Sequence, residues 1–301
     1  MALPTAAALT EKLPRPLRRH RLMTAWMRLT GEDPLQLVRI RDGAFGYADM
    51  RDGFLRLIPI EGDYDHDFFR IADALLAAGG TFFDVGANFG LLSFGLASRL
   101  ADRVSFHLFE PIPHLVRAIG RTQARYPAMR ALVNAAAVTD FDGEAWFDVA
   151  EAQTGRSHLD PAGGLRTQCL RLDTYMAEHG VEAVDLLKLD VEGYELTALR
   201  GAEGALARRA VGAIYFEYFE KYLARVGPPA ELIEFLEGCG YEVCFCRDYD
   251  LSRFGGATRT LAPSLAGHGL PLRPVRGATL PPMTDLFAAP KERLVVLEAA
   301  A

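Results

Sequence analysis

The chain has 301 residues, half of them hydrophobic, with 33 basic and 39 acidic side chains and a formal net charge of −6. That length closes a sizeable core in one large or two small domains, and the mildly acidic balance argues against a dedicated nucleic-acid binder. The four cysteines, Cys169, Cys239, Cys244 and Cys246, contain no Cys-x-x-Cys pair and read as reduced thiols of a cytoplasmic protein.

The first thirty residues carry Lys12, Arg15, Arg18, Arg19, Arg21 and Arg28 but no apolar stretch of the kind a secretory signal needs. No apolar run approaches the roughly 20 residues of a membrane span. A basic arm with one helix around Arg18–Leu29 is expected. Short strand-like runs follow at 37–40 and 54–58, with turns at Gly43, Gly46 and Asp52-Gly53, so residues 1–60 read as an arm and a small β-rich extension. After an acidic loop at 63–67, helical spacing over 68–78 stops at Gly79-Gly80.

From Thr81 strand and helix patterns alternate. Strands are expected at 81–85, 104–110, 131–138, 184–190, 212–219, 241–246 and 284–288. Helices are expected at about 89–101, 113–125, 173–179 with Asp173 as N-cap, from Tyr194, and from Pro228-Pro229 to Gly238. A hairpin turn at 141–144 is flanked by strands at 145–149 and 167–172. The pattern predicts an α/β fold over 61–301, a doubly wound, mainly parallel sheet of seven strands. Residues 254–283 are too long for a plain connection and read as a lid or insertion, or equally as a homodimer contact.

Ligands of such sheets sit beyond the carboxyl ends of the strands. Those ends carry Asp84, Gly86, Glu110, Asn134, Asp190, Glu192 and Glu217, an acidic rim. The first turn, Gly86-Ala87-Asn88-Phe89-Gly90, has Gly-x-x-x-Gly spacing and lacks the Gly-x-Gly-x-x-Gly pyrophosphate cradle. Its glycines let the backbone approach a ligand, Asp84 can hold an ammonium group, and Glu110 can accept both hydroxyls of a ribose. Ribose and amino group without phosphate describe S-adenosylmethionine better than a nicotinamide dinucleotide.

Asp84-Val-Gly-Ala-Asn-Phe-Gly90, Phe109-Glu110-Pro111 and Asp185-Leu-Leu-Lys188-Leu-Asp190-Val-Glu192-Gly193-Tyr-Glu195 together resemble the FkbM family of S-adenosylmethionine-dependent methyltransferases. The last run is the most specific, because Lys-x-Asp-Val-Glu-Gly-x-Glu is that family's signature; Phe89 fits its hydrophobic residue after the first-motif Asn. The closing run from Asp285 to Lys291 resembles its last strand. The likeness covers 64–219 well and 241–247 and 284–292 loosely, but not 1–60 or 254–283. It implies a class I, Rossmann-like methyltransferase domain that takes S-adenosylmethionine. The implied cofactor contacts are Asp84, Gly86, Asn88, Phe89, Gly90, Glu110, Pro111, Asn134 and Asp190. The activity it implies is O-methylation of a small molecule such as a sugar, polyketide or other secondary metabolite.

Methyl transfer to oxygen needs positioning and removal of one proton. Asp190, Glu192, Glu217 and His158 are the candidates to orient or deprotonate the acceptor. Lys188 and Glu195 also suit structural roles, as an ion pair and a helix-start carboxylate. No metal is expected: His66, His107 and His114 lack ligand spacing. Competing readings are an N- or peptide-methyltransferase with the same cofactor site, a non-catalytic binding protein of the same fold, and an oxidoreductase disfavoured by the glycine spacing.

Overall fold

The apolar runs that end in acidic residues become the parallel centre of one large sheet. The computed structural model describes residues 5–13, 20–41, 43–61, 65–150, 153–246, 258–261 and 271–297. Helices α1 (Ala6–Lys12) and α2 (His20–Thr30) precede a hairpin of β1 (Leu35–Arg41) and β2 (Ala44–Asp49). Gly43 at φ +79° turns that hairpin. The run expected as a strand at 54–58 is instead a 3-10 turn leading into α3 (Ile58–Glu61). Asp52 decides this locally: its Oδ1 accepts the amides of Phe54 and Leu55 at 2.8 and 3.2 Å, a helix-start arrangement. Helix α4 (His66–Leu75) follows.

The alternating region begins with β3 (Gly80–Val85), α5 (Leu91–Leu100), β4 (Val104–Phe109), α6 (Pro113–Gln123) and β5 (Arg130–Asn134). The single strand expected over 131–138 is two. Its second part, β6 (Ala136–Val138), leaves the main sheet for a four-stranded one with β7 (Gly143–Asp148), β8 (His158–Leu159) and β9 (Leu165–Leu170). Helix α7 (Leu172–Glu178) starts without a side-chain cap. The expected capping residue Asp173 instead accepts the amides of Gly204 and Ala205, both at 2.8 Å. Then come β10 (Leu186–Leu189), α8 (Glu195–Arg200), α9 (Glu203–Ala207), β11 (Ile214–Phe219), α10 (Glu220–Leu223), α11 (Ala230–Gly238) and β12 (Tyr241–Phe245). The last strands are β13 (Thr258–Leu261), β14 (Pro271–Pro274), β15 (Met283–Pro290) and β16 (Leu294–Leu297).

The main sheet runs β16-β13-β14-β12-β15-β11-β10-β3-β4-β5. From β11 to β5 every pairing is parallel, and β15 and β12 close the expected seven strands antiparallel. Three further strands extend the β12 edge, giving ten. Two of these, β13 and β14, lie within the 254–283 stretch read as a lid and pair into the sheet; 254–257 and 262–270 lie outside the described residues.

Successive strand residues feed opposite cores. Phe82, Phe106, Leu108 and Leu186 belong to one apolar cluster, and Phe83, Phe109, Leu187 and Leu189 to another. Strands covered on both faces read as continuous apolar runs, which is why 81–85 and 186–189 carry no alternation. The β1–β2 hairpin docks on the first face, where Tyr126 Oη on the α6 side accepts the Phe45 amide at 2.8 Å and Thr122 Oγ1 accepts that of Tyr47 at 3.0 Å. The four cysteines are free thiols, and among the described residues no helix is long and apolar enough to cross a membrane. Since β3 pairs with β4 on one side and β10 on the other, chain direction along the sheet reverses at β3/β10. There the carboxyl ends leave a crevice for a ligand.

Candidate active site

A cleft opens at that switch point. Gly86, Asn88, Glu110, Pro111, Asp190 and Glu192 all line it.

The half built on β3 and β4 is held by backbone amides. Gly86 has φ +71°, and a Cβ there would lie 1.8 Å from the Asp190 carbonyl oxygen, so no other residue fits. The amides of Gly86 and Ala87 both donate to the Phe109 carbonyl, at 3.1 and 3.0 Å. Asn88, also left-handed at φ +53°, donates its amide to Glu110 Oε2 at 2.8 Å, and Ile112 donates to Oε1 at 2.9 Å. Burial pushes the Glu110 carboxyl up to about 7 against the pull of those two amides and of Lys188. A carboxylate fixed this way keeps lone pairs for ligand hydroxyls.

Asp84, read as a direct ligand, sits behind this surface and does not line the cleft. It is 1% exposed, accepts the Ser93 hydroxyl at 2.6 Å, and pairs with Lys188 Nζ at 3.4 Å. Lys188, also buried, donates to the Gly86 carbonyl at 2.7 Å and lies 3.6 Å from Asp190 Oδ2. Burial pulls its ammonium down, but the charges of Asp190 and Asp84 push it up overall. Lys188 therefore ties the glycine turn to the end of β10. Phe89 is packed in the core, and Gly90 at φ +69° starts α5; neither lines the cleft. Asn134 is turned away: its amide donates to the Leu108 carbonyl at 3.1 Å and to Tyr175 Oη at 3.2 Å.

The half built on β10 and β11 is carboxylate-rich. The chain leaves β10 after Leu189, and Glu192 takes φ +57°. That turn brings oxygens of Asp190, Glu192 and Glu217 all within 4.8 Å of one another. Glu192 and Glu217 are both pushed well up, first by burial and then by the Asp190 charge. Below them Glu195, 1% exposed, accepts the amides of Val191 and Gly193 on Oε1, at 3.1 and 3.2 Å. Burial pushes its carboxyl up to about 7.

One part of the cleft escaped the sequence reading. Thr154, Gly155, Ser157 and Leu159, with Phe147, line it from the second sheet and the loop before β8. This loop is tied down by the N-terminal region: Asp52 Oδ2 accepts the Thr154 amide at 2.7 Å and its hydroxyl at 3.0 Å across 102 residues of sequence. Asn88 Oδ1 accepts the same hydroxyl at 3.2 Å, and Tyr194 Oη donates to the Leu159 carbonyl at 2.6 Å. His158 lies between the lining residues Ser157 and Leu159, is absent from the cleft lining, and has Nδ1 3.0 Å from the Arg156 carbonyl. The only local signal for the loop was Thr-Gly-Arg-Ser, a turn-like run without periodicity.

The methyltransferase FkbM domain model matches residues 84–243, just over half of the chain. Over 205 residues the chain is 27% identical to the AMB antimetabolite synthetase AmbE of Pseudomonas aeruginosa, which covers 55% of this chain; the chain spans only 10% of that curated relative's length. A methyltransferase FkbM structure from Methylobacillus flagellatus is 15% identical over 70% of this chain and 44% of its own, with TM-score 0.41. An S-adenosylmethionine-dependent O-methyltransferase from Thermotoga maritima is 15% identical over 87% of this chain and 80% of its own, with TM-score 0.39.

Proposed function

The chain belongs to the methyltransferase FkbM family, and from that premise we propose that it O-methylates a hydroxyl of a small secondary metabolite with S-adenosylmethionine. When bound, that cofactor supplies an electrophilic methyl group on a sulfonium. The residues present fit it: Glu110 faces the cleft with both oxygens already oriented by amides, and the Gly86 turn leaves no side chain between backbone and ligand. Glu110 would take the ribose hydroxyls, and Gly86 and Asn88 would line the nucleoside. Asp84 and Lys188 would hold this surface from behind without touching the ligand.

The single observation that carries the acceptor assignment is the convergence of Asp190, Glu192 and Glu217 beside this surface. A carboxylate whose pKa is raised is a better base for a hydroxyl than an unperturbed one. Glu192, pushed up to about 9 by burial and by Asp190, is the group we assign to accept the hydroxyl proton once it is itself ionised, so turnover should rise with pH. Asp190 orients the acceptor. The likeness to an antimetabolite synthetase supports a secondary-metabolite acceptor.

The test is transfer of an isotope-labelled methyl group from S-adenosylmethionine to a panel of matched alcohols and amines, read by NMR of the product. Methyl on oxygen supports the reading; methyl only on nitrogen refutes it in favour of N-methylation.

A further inference from the structure

Two glycines line the cleft, Gly86 and Gly155. At Gly86 the backbone conformation and the Asp190 carbonyl both demand glycine. Gly155 is different. Its φ lies outside the left-handed region, so any residue can adopt it. Among the described residues, a Cβ built there would meet only Glu192 Oε1 at 3.5 Å and Asn88 Nδ2 at 3.8 Å, both ordinary contact distances. Neither backbone strain nor core packing requires a glycine at this position.

The two atoms that a Cβ would meet belong to opposite halves of the site. Asn88 stands on the turn after β3, and Glu192 on the turn after β10. Gly155 faces the gap between them from the loop before β8. That loop is pinned on both sides of it. Thr154 is held by Asp52 and Asn88, and Ser157 Oγ accepts the Ala150 amide at 3.0 Å. The Ser157 amide in turn donates to the Thr154 carbonyl at 3.1 Å, closing the short turn around Gly155.

An alcohol oxygen hydrogen-bonded to a carboxylate at about 2.7 Å carries its carbon about 3.5 Å from that carboxylate oxygen. A Cβ at position 155 would lie at the same distance from Glu192 Oε1, 3.5 Å. The missing side chain therefore leaves free a volume in the shell where the carbon bearing an acceptor hydroxyl sits. We propose that Gly155 sets which hydroxyls the protein methylates. It leaves room beside Glu192 for a branched carbon, and so admits secondary hydroxyls such as those of a ring. A side chain there would restrict the site to primary hydroxyls. Gly155 handles neither the proton nor the methyl group; it acts through the volume it leaves unfilled. This assignment rests on the reading of Glu192 as the group that takes the hydroxyl proton.

Gly155→Ala and Gly155→Val keep the Thr154 and Ser157 anchors and fill that volume in steps. Transfer of a labelled methyl group from S-adenosylmethionine is measured with two matched pairs of alcohols, cyclohexanol with cyclohexylmethanol and isopropanol with ethanol. S-adenosylhomocysteine is titrated into the same samples. The wild type should methylate the secondary member of each pair at least as well as the primary one. The secondary-to-primary ratio of kcat/KM should fall at least about tenfold in Gly155→Val and by less in Gly155→Ala. S-adenosylhomocysteine should bind all three proteins within about threefold of one another.

An unchanged ratio in a cooperatively melting Gly155→Val protein overturns the proposal and leaves the methyltransferase reading standing. A wild type that methylates only primary alcohols does the same. Loss of S-adenosylhomocysteine affinity in step with transfer also overturns it, because Gly155 would then belong to the cofactor's part of the cleft. A wild type that binds S-adenosylhomocysteine but methylates no alcohol removes the O-methylation reading and the proposal with it. Absence of S-adenosylhomocysteine binding removes the methyltransferase reading itself.

Discussion

The glycine turn after β3 and the glutamate turn after β10 touch each other, with no room for even a Cβ between Gly86 and the Asp190 carbonyl. They are nevertheless built on different physics. In the first turn each Glu110 oxygen has an amide donor, and Asp84 accepts the Ser93 hydroxyl on Oδ2 while its Oδ1 faces only the Lys188 ammonium. The second gathers Asp190, Glu192, Glu195 and Glu217 with Lys188 as the shared cation. A surface satisfied by its own backbone is preorganised for a ligand that resembles a nucleoside. A surface crowded with like charges is poised to take up a proton or a cation, which is what an acceptor site for proton removal requires.

The comparison breaks most severely at Gly86, which both turns share. Gly86→Ala forces a side chain into the Asp190 carbonyl and a left-handed conformation on alanine, at a cost on the order of 3 kcal/mol or more. Urea denaturation should show that loss together with abolished S-adenosylhomocysteine binding; a variant of wild-type stability would mean the two turns do not meet.

A smaller effect is expected at the cover. Asp52→Ala removes the acceptor for Thr154 and for the start of the 3-10 turn, and S-adenosylhomocysteine should bind about tenfold more weakly. Thr154→Val keeps the amide contact and loses only the hydroxyl, so about threefold is expected. Equal affinities in both variants, read by calorimetry, would detach the 153–159 loop from cofactor binding.

The gentlest probe is pH. Glu110 and Glu195 are raised from ordinary glutamate values to about 7 by burial, and Glu192 and Glu217 are pushed up too. For an acid whose folded pKa is raised, the stability contribution is present below the unfolded value and lost as pH climbs through the folded one. The ligand-free protein should therefore melt at falling temperature as pH rises from about 5 to about 8. Glu192→Gln should shallow that slope and raise the melting temperature at the alkaline end. A slope unchanged by Glu192→Gln would show that the crowding is relieved some other way.

Much of the site was legible from local residues. Asp84-to-Gly90, Glu110 and Lys188-to-Glu195 are short runs whose spacing reflects a strand end and a turn, and they fall together as that spacing implies. What could not be read were contacts between distant segments. Nothing near Asp52 announces a partner 102 residues away, and the kink after Asn134 that sends β6 to another sheet leaves the apolar pattern of 131–138 unchanged. The apolar run at 54–58 fits strand or helix equally by periodicity, and the carboxyl of Asp52 tips it. Asp84 illustrates a subtler limit. Its position at a strand end was clear, but whether its carboxylate faced ligand or lysine depended on Lys188 from a strand about a hundred residues later.

Calorimetric titration of S-adenosylhomocysteine into the wild type and Glu110→Ala, at pH about 8 where the Glu110 carboxyl is ionised, tests the cradle most directly. The predicted result is saturable one-to-one binding by the wild type, weakened about tenfold or more in the variant, since hydrogen bonds to a charged group are each worth about 1.5–3 kcal/mol. Absence of binding to the wild type, or equal affinity in a folded Glu110→Ala protein, would contradict it.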